Sequence, residues 1–263
     1  FHGDPAGQGW AAGIYGAYTA LIYAASIFGG FLADRVIGYQ RSILLGAAVM
    51  AAGLFTLLVP SKPLMMLGLA LVIAGDGLFK PNISTMVGQL YGRDDPRRDR
   101  GFTLFYMGIN AGAFVAPLLT GWMAGHFTDT PMQQNYRVVF GAAGVGMLLS
   151  MLWFWFGRRS LKGVGRPLVG MEGRSRVLWV LVGTAFAVPL IYAMLAYVGA
   201  DGLQWLLGLL FVGVAAALIV EALRHDRVQL HRVIAMLIVF VFSVLFWTFY
   251  FQFGTSLNFL AEN

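Results

Sequence analysis

Long apolar blocks separated by short polar breaks run the length of this chain. Each block approaches the roughly 20 residues that a helix needs to cross a bilayer core, and one span per block gives 10–33, 42–60, 64–91, 101–125, 137–157, 177–199, 203–224 and 232–258. Hydrocarbon offers the backbone no water, so blocks of this length must close their hydrogen bonds internally as helices. The predicted fold class is all-α, a polytopic membrane helix bundle of eight crossings. Small residues recur in the second to fifth spans, among them Gly46, Gly53, Gly108, Gly112, Gly141 and Gly144, and they let helix backbones approach closely in lipid.

The polar breaks set the domain organisation. Residues 158–175 are basic and contain glycine, and Pro167 opposes a continuous helix there. This linker separates 1–157 from 176–263. The break Gly199-Ala200-Asp201-Gly202 is so short that spans 177–199 and 203–224 are expected to form an antiparallel hairpin. With no motif-like polar residues, the hairpin reads as a peripheral helical pair.

Composition fixes the environment. The chain is 59% hydrophobic and only 11% charged, with a mean hydropathy of +0.73, against roughly 45–50% apolar content in soluble domains. A net charge of +6 raises nucleic acid as a partner, and the placement of the charges decides the matter. Fifteen of the eighteen basic residues fall in alternate loops: Arg35 and Arg41; Arg93, Arg97, Arg98 and Arg100; Arg158, Arg159, Lys162, Arg166, Arg174 and Arg176; Arg224, Arg227 and Arg232. The other breaks hold only Lys62 and Arg137. Such asymmetry places the basic loops in the cytoplasm, makes the lipid bilayer of the cytoplasmic membrane the partner, and leaves no nucleic acid in that role. There is no cysteine, and His2, His126, His225 and His231 lie at or beyond span ends, so no metal site is expected. The chain opens on Phe1 with no initiator methionine or signal-peptide pattern and stops as a helix finishes, which reads as a piece of a longer protein.

The remaining basic residue is the informative one. Lys80 lies within a span, in Gly75-Asp76-Gly77-Leu78-Phe79-Lys80-Pro81-Asn82-Ile83-Ser84. An ammonium near the bilayer centre costs roughly 2.5–3.5 kcal/mol on insertion scales, so it is expected to face a polar cavity or a partner. Asp76 precedes it by four residues, on the same helix face in the favourable acid-first order. The two either neutralise each other and pack or form a titrating pair beside a cavity. Pro81 lacks an amide hydrogen and crowds the Gly77 carbonyl, so the helix is expected to bend or open there.

Two motifs then carry a resemblance. The first basic loop, Gly29-Gly30-Phe31-Leu32-Ala33-Asp34-Arg35-Val36-Ile37-Gly38-Tyr39-Gln40-Arg41, puts an acid at the membrane edge, where it can cap the next helix or accept from a neighbouring helix end. It resembles the loop between the second and third helices of the major facilitator superfamily, where Asp34 and Arg35 would act as a conformational latch. The lysine segment together with Phe105-Tyr106-Met107-Gly108-Ile109-Asn110-Ala111-Gly112 is similar to the proton-coupled oligopeptide transporter family of that superfamily. Tyr15 to Tyr23 resembles the family's second helix, and Phe246 to Asn258 its seventh.

The resemblance implies a partial major facilitator fold. Residues 1–157 correspond to helices two to six of the N-terminal bundle, 158–175 to a cytoplasmic linker, 176–225 to the extra helical hairpin of bacterial members, and 226–263 to helix seven at the start of the C-terminal bundle. It also implies proton-coupled symport of di- and tripeptides by alternating access, with protons and peptide as partners and a proton gradient in place of any cofactor. The first helix with its E-x-x-E-R motif and helices eight to twelve are not in this sequence, so the chain by itself is not expected to transport. Tyr23, Lys80, Asn110, Trp247 and Gln252 would line the substrate site, with Asp76 and Lys80 as proton-coupling residues. Tyr23 and Asn110 could equally hydrogen-bond across helix interfaces, and Trp247 and Gln252 could pack. Many relatives place an acid just before that glutamine, whereas this chain has Phe251. A porter for nitrate or a small carboxylate is the alternative. An enzyme is not expected, since the chain has no H-E-x-x-H, no G-x-S-x-G and no acid dyad within its spans.

Overall fold

The structure is a computed structural model and describes residues 5–92, 94–127, 135–167, 173–225 and 227–251. Among these residues every regular element is helical. Helix α1 (Pro5–Leu32) passes into a wide π-helical turn at Ala33–Ile37, and α2 (Tyr39–Thr56), α3 (Lys62–Gln89), α4 (Arg97–His126) and α5 (Tyr136–Gly157) follow. A 3₁₀ turn (Arg158–Leu161) opens the linker, and α6 (Arg174–Ala193), a second π turn (Met194–Val198), α7 (Gly199–His225) and α8 (Arg227–Phe251) complete the chain.

All of the helices except α2 are long and apolar enough to cross a membrane. The expected span at 42–60 is corrected to a helix of 18 residues, about 27 Å long. Its first turn is Tyr39-Gln40-Arg41-Ser42, and that polar start lowers its mean hydropathy. The expected non-helical connection at 199–202 is also corrected, because the backbone remains helical from the π turn into α7. Glycine makes a turn easy without compelling one, and no proline stands there to interrupt the helix.

By packing the chain divides into two compact units, residues 18–197 and a second made of 5–17 with 198–251 as far as described. In the first, α2 and α3 are the closest pair. A Cβ added to Gly46 would lie 2.6 Å from the Gly75 carbonyl oxygen, and one on Gly53 2.7 Å from that of Gly68. The two glycine pairs repeat at the same seven-residue interval along both helices, so the backbones themselves form the interface. Gly144 continues the pattern more loosely against the Phe55 ring, whereas Gly108 and Gly112 of α4 face open space. Close packing is thus a property of α1 to α3, not of every glycine-bearing span.

Helix α6 is mostly exposed but docks one face on the bundle. Val180 is 3% exposed and forms a buried cluster with Ile37 and Leu78, with Val177 alongside. The linker docks on the same end of the unit. Gln40 donates its backbone N–H to the Gly165 carbonyl at 2.9 Å and its Nε2 to the Val164 carbonyl at 2.6 Å. Pro167 lies against Gly38, whose φ of +80° and lack of a side chain are both required there. In the second unit α7 packs on α8, with Phe211 and Phe240 stacked at 5.2 Å.

Candidate functional site

Lys80 is exposed on the surface of α3, and its ammonium sits 5.1 Å from the centroid of the Tyr23 ring on α1. A cation over a phenol face is worth about 0.5–1 kcal/mol where water reaches it. Tyr23 is itself 49% exposed, so the pair forms one wall of an open surface.

The helix below Lys80 is not opened by Pro81, and α3 runs continuously from Lys62 to Gln89. The Gly77 carbonyl, which has lost its usual donor to the proline, packs directly on Gly29 of α1, and that contact leaves no room for a Cβ on Gly29. Immediately after the proline, Asn82 is 1% exposed. Its Nδ2 lies 3.1 Å from the Gly29 carbonyl, 2.9 Å from Ser42 Oγ and 2.8 Å from the Leu78 carbonyl. Ser42 Oγ donates to the same Leu78 carbonyl at 2.9 Å. One amide therefore ties α1, α2 and α3 together beneath Lys80. Flipping it would aim Oδ1 at two carbonyl oxygens, so its partners fix its orientation. Sequence reasoning missed Asn82. The available signal was its register, since it follows Leu78 by four and Gly75 by seven residues and so belongs to the buried face of α3.

Asp76 and Lys80 make no direct ion pair among the described residues, because the Lys80 ammonium turns to the Tyr23 ring. Asp76 is half-buried, and its Oδ2 accepts no hydrogen bond among the described residues. Asn110 is exposed on α4 and spends its Nδ2 on the Tyr106 carbonyl of its own helix at 2.9 Å. Trp247 belongs to the second unit, where its ring meets Phe246 at 5.5 Å, Tyr250 at 5.2 Å and Phe251 at 5.6 Å. Gln252 lies outside the described residues.

Asp34 and Arg35 stand exposed on the π turn. No side chain caps α2, so the expectation that Asp34 caps the next helix is corrected. Its carboxylate accepts instead from the Tyr39 hydroxyl. Tyr39 lies outside the spans, and burial, then the Asp34 hydrogen bond and charge, push its phenol up to about 12; Gln89 of α3 hydrogen-bonds to it and acts the other way. Asp34 thus reaches α2 through one tyrosine.

Glycine-bound helix crossings and a lysine held on a hub at mid-helix define an all-α, polytopic membrane bundle of the major facilitator type. Residues 40–263 match the family model described as PTR2, POT family. The chain belongs to the proton-coupled oligopeptide transporter (POT) family. It is 33% identical over 262 residues to the uncharacterized transporter YclF of Bacillus subtilis (strain 168), covering 97% of this chain and 52% of that protein. It is 33% identical over 251 residues to dipeptide and tripeptide permease A of Yersinia pestis, covering 94% of this chain and 48% of the permease. Among solved structures, tetrameric PepTSo2 superposes with a TM-score of 0.84 at 28% identity, over 97% of this chain and 55% of that one. A peptide transporter in complex with alafosfalin gives 0.76 at 34% identity, over 96% and 52%. The chain spans about half the length of the curated relatives it matches.

Proposed function

We propose that the complete protein is a symporter that couples proton entry to uptake of di- and tripeptides across the cytoplasmic membrane, with the basic loops facing the cytoplasm and the proton gradient in place of any cofactor. The observation that carries this reading is the Lys80 ammonium, exposed on α3 one turn from the Asn82 hub and lying over the Tyr23 ring. A ring face at an exposed site holds a cation by about 0.5–1 kcal/mol, whereas a hydrogen bond to a charged group contributes about 1.5–3 kcal/mol. An arriving carboxylate therefore displaces the ring. Every peptide brings a carboxylate whatever its side chains, so recognition through Lys80 is tolerant of sequence. The Tyr23 hydroxyl and the exposed face of α4 with Asn110 supply further backbone-directed contacts.

Proton coupling in this reading uses Asp76, one turn before Lys80. When Lys80 takes the peptide carboxylate it stops compensating Asp76, which then binds a proton, and the two events become linked free energies. Asp34, tied through Tyr39 to α2, is proposed with Arg35 to hold one access state. Proteoliposome uptake of labelled dialanine under an imposed proton gradient tests the scheme. Lys80→Ala should abolish uptake, and Asp76→Asn should uncouple it from the gradient while exchange continues. Wild-type gradient-driven uptake in the Lys80 variant would refute it.

A further inference from the structure

Two helical turns along from Lys80, α3 and α4 enclose a hollow of about 320 Å³, the lower end of the roughly 300–1,000 Å³ typical of small-ligand sites. Ser84, Gln89, Tyr91, Arg98 and Phe102 line it. We propose that it is a second carboxylate site, a station at the cytoplasmic mouth that receives the peptide's terminus after Lys80 releases it. The proposal rests on the reading of the complete protein as a peptide symporter.

Three observations build the site. First, the positive charge in it is unspent. Neighbouring Arg97 gives its guanidinium to Asp95 at 2.9 Å, but Arg98 turns away over the Phe102 ring, 6.0 Å from the centroid, and no carboxylate lies within ion-pair distance of it among the described residues. Second, the wall is shaped for it. A Cβ on Gly88 would stand 3.2 Å from Phe102 and 3.5 Å from the Arg98 guanidinium, so the missing side chain is what opens the hollow to the cation. Third, the site is in line with Lys80. Lys80, Ser84 and Gly88 follow at four-residue intervals on one face of α3, and the Ser84 hydroxyl is tied only by a long 3.4 Å bond to the Lys80 carbonyl. Eight residues of helix separate Lys80 from Gly88, beside which the Arg98 guanidinium lies, by about 12 Å along the axis. A dipeptide extends to about 7 Å, so it cannot hold both stations and must leave one to reach the other. Gln89 lines the hollow and acts on Tyr39, whose hydroxyl donates to Asp34, so the station adjoins that turn.

A guanidinium with hydroxyls beside it also suits the phosphate of an anionic lipid, and the test separates the two sources. The complete transporter is reconstituted in zwitterionic lipid with and without anionic lipid. Uptake and efflux of dialanine and of dialanine amide, which lacks the carboxylate, are measured for wild type, Arg98→Gln and Arg98→Lys. For dialanine, Arg98→Gln should raise the KM of efflux from the cytoplasmic face about tenfold and move the KM of uptake far less, with Arg98→Lys recovering most of the loss in either lipid. For the amide, wild type and Arg98→Gln should differ by less than twofold. Equal efflux KM values for dialanine, an equal loss with the amide, or a loss seen only with anionic lipid would each overturn the proposal. Absence of uptake by wild type would instead refute the symporter reading, and the station with it.

Discussion

The two sides of α3 behave as different materials. Toward α1 and α2 it is dry and nearly incompressible, with Gly75 on Gly46, Gly68 on Gly53, Gly77 on Gly29, and Asn82 bridging all three helices. The side that carries Lys80 is open, with Lys80 exposed over the Tyr23 ring, and on α4 Gly108, Gly112 and Asn110 stand on an unfilled surface. One side holds α3 continuous through Pro81, and the other leaves the cation free to move. Rigidity at the root of Lys80 and freedom at its tip are what a repeated bind-and-release step needs.

Substitutions on the two sides should differ accordingly. The largest effect is expected at the glycine crossing. Gly75→Leu forces a side chain where a Cβ already lies 2.6 Å from Met50 and 2.7 Å from the Gly46 carbonyl, and overpacking of this kind costs about 1–3 kcal/mol or more. Its thermal midpoint in detergent should fall below that of every other variant here, and an unchanged midpoint would contradict the description of the dry side.

Next comes Asn82→Leu, which leaves the Gly29 carbonyl without its side-chain donor and should cost about 1–3 kcal/mol. It should also weaken peptide binding more than Asn82→Ser, which retains a donor. Equal binding by both variants would show that the hub does not position Lys80. By contrast Asn110→Ala removes only a bond within its own helix, and its midpoint should shift by less than the equivalent of about 0.5 kcal/mol. A large drop in stability there would mean that α4 is packed on the side described as open.

The smallest effect concerns the latch. Because the Tyr39 phenol is raised from 10.0 to about 12, the folded state favours its protonated form. That contribution is complete below pH 10 and is lost as pH rises from 10 toward 12. Ultraviolet difference titration of wild type against Tyr39→Phe should show one tyrosine ionising near pH 12. Ionisation near pH 10 would break the link between Asp34 and α2.

Much of this contrast was legible in the sequence, and what was hidden has physical causes. Apolar blocks and the insertion cost of a charge within a span located the helices and singled out Lys80, because both are properties of one segment against its solvent, whereas Tyr23 was named only through the family resemblance. The Asn82 hub was hidden because a buried asparagine in membrane depends on partners from distant segments. Here Gly29 and Ser42 are 53 and 40 residues away. The same holds for Val180 of α6, apolar on every face in the sequence and buried on one only because Ile37 and Leu78 meet it. The 199–202 segment misled because its glycines mark where a turn is cheap, and the backbone chose helix.

The central claim is that the freed tip of Lys80 meets a peptide carboxylate. Calorimetric binding of dialanine and dialanine amide to the complete protein, wild type and Lys80→Met, measures it directly. Wild type should prefer the free acid by about tenfold to a hundredfold, the equivalent of one charge-assisted hydrogen bond, and Lys80→Met should bind the two alike. A preference that survives in Lys80→Met would place the carboxylate elsewhere and contradict the account.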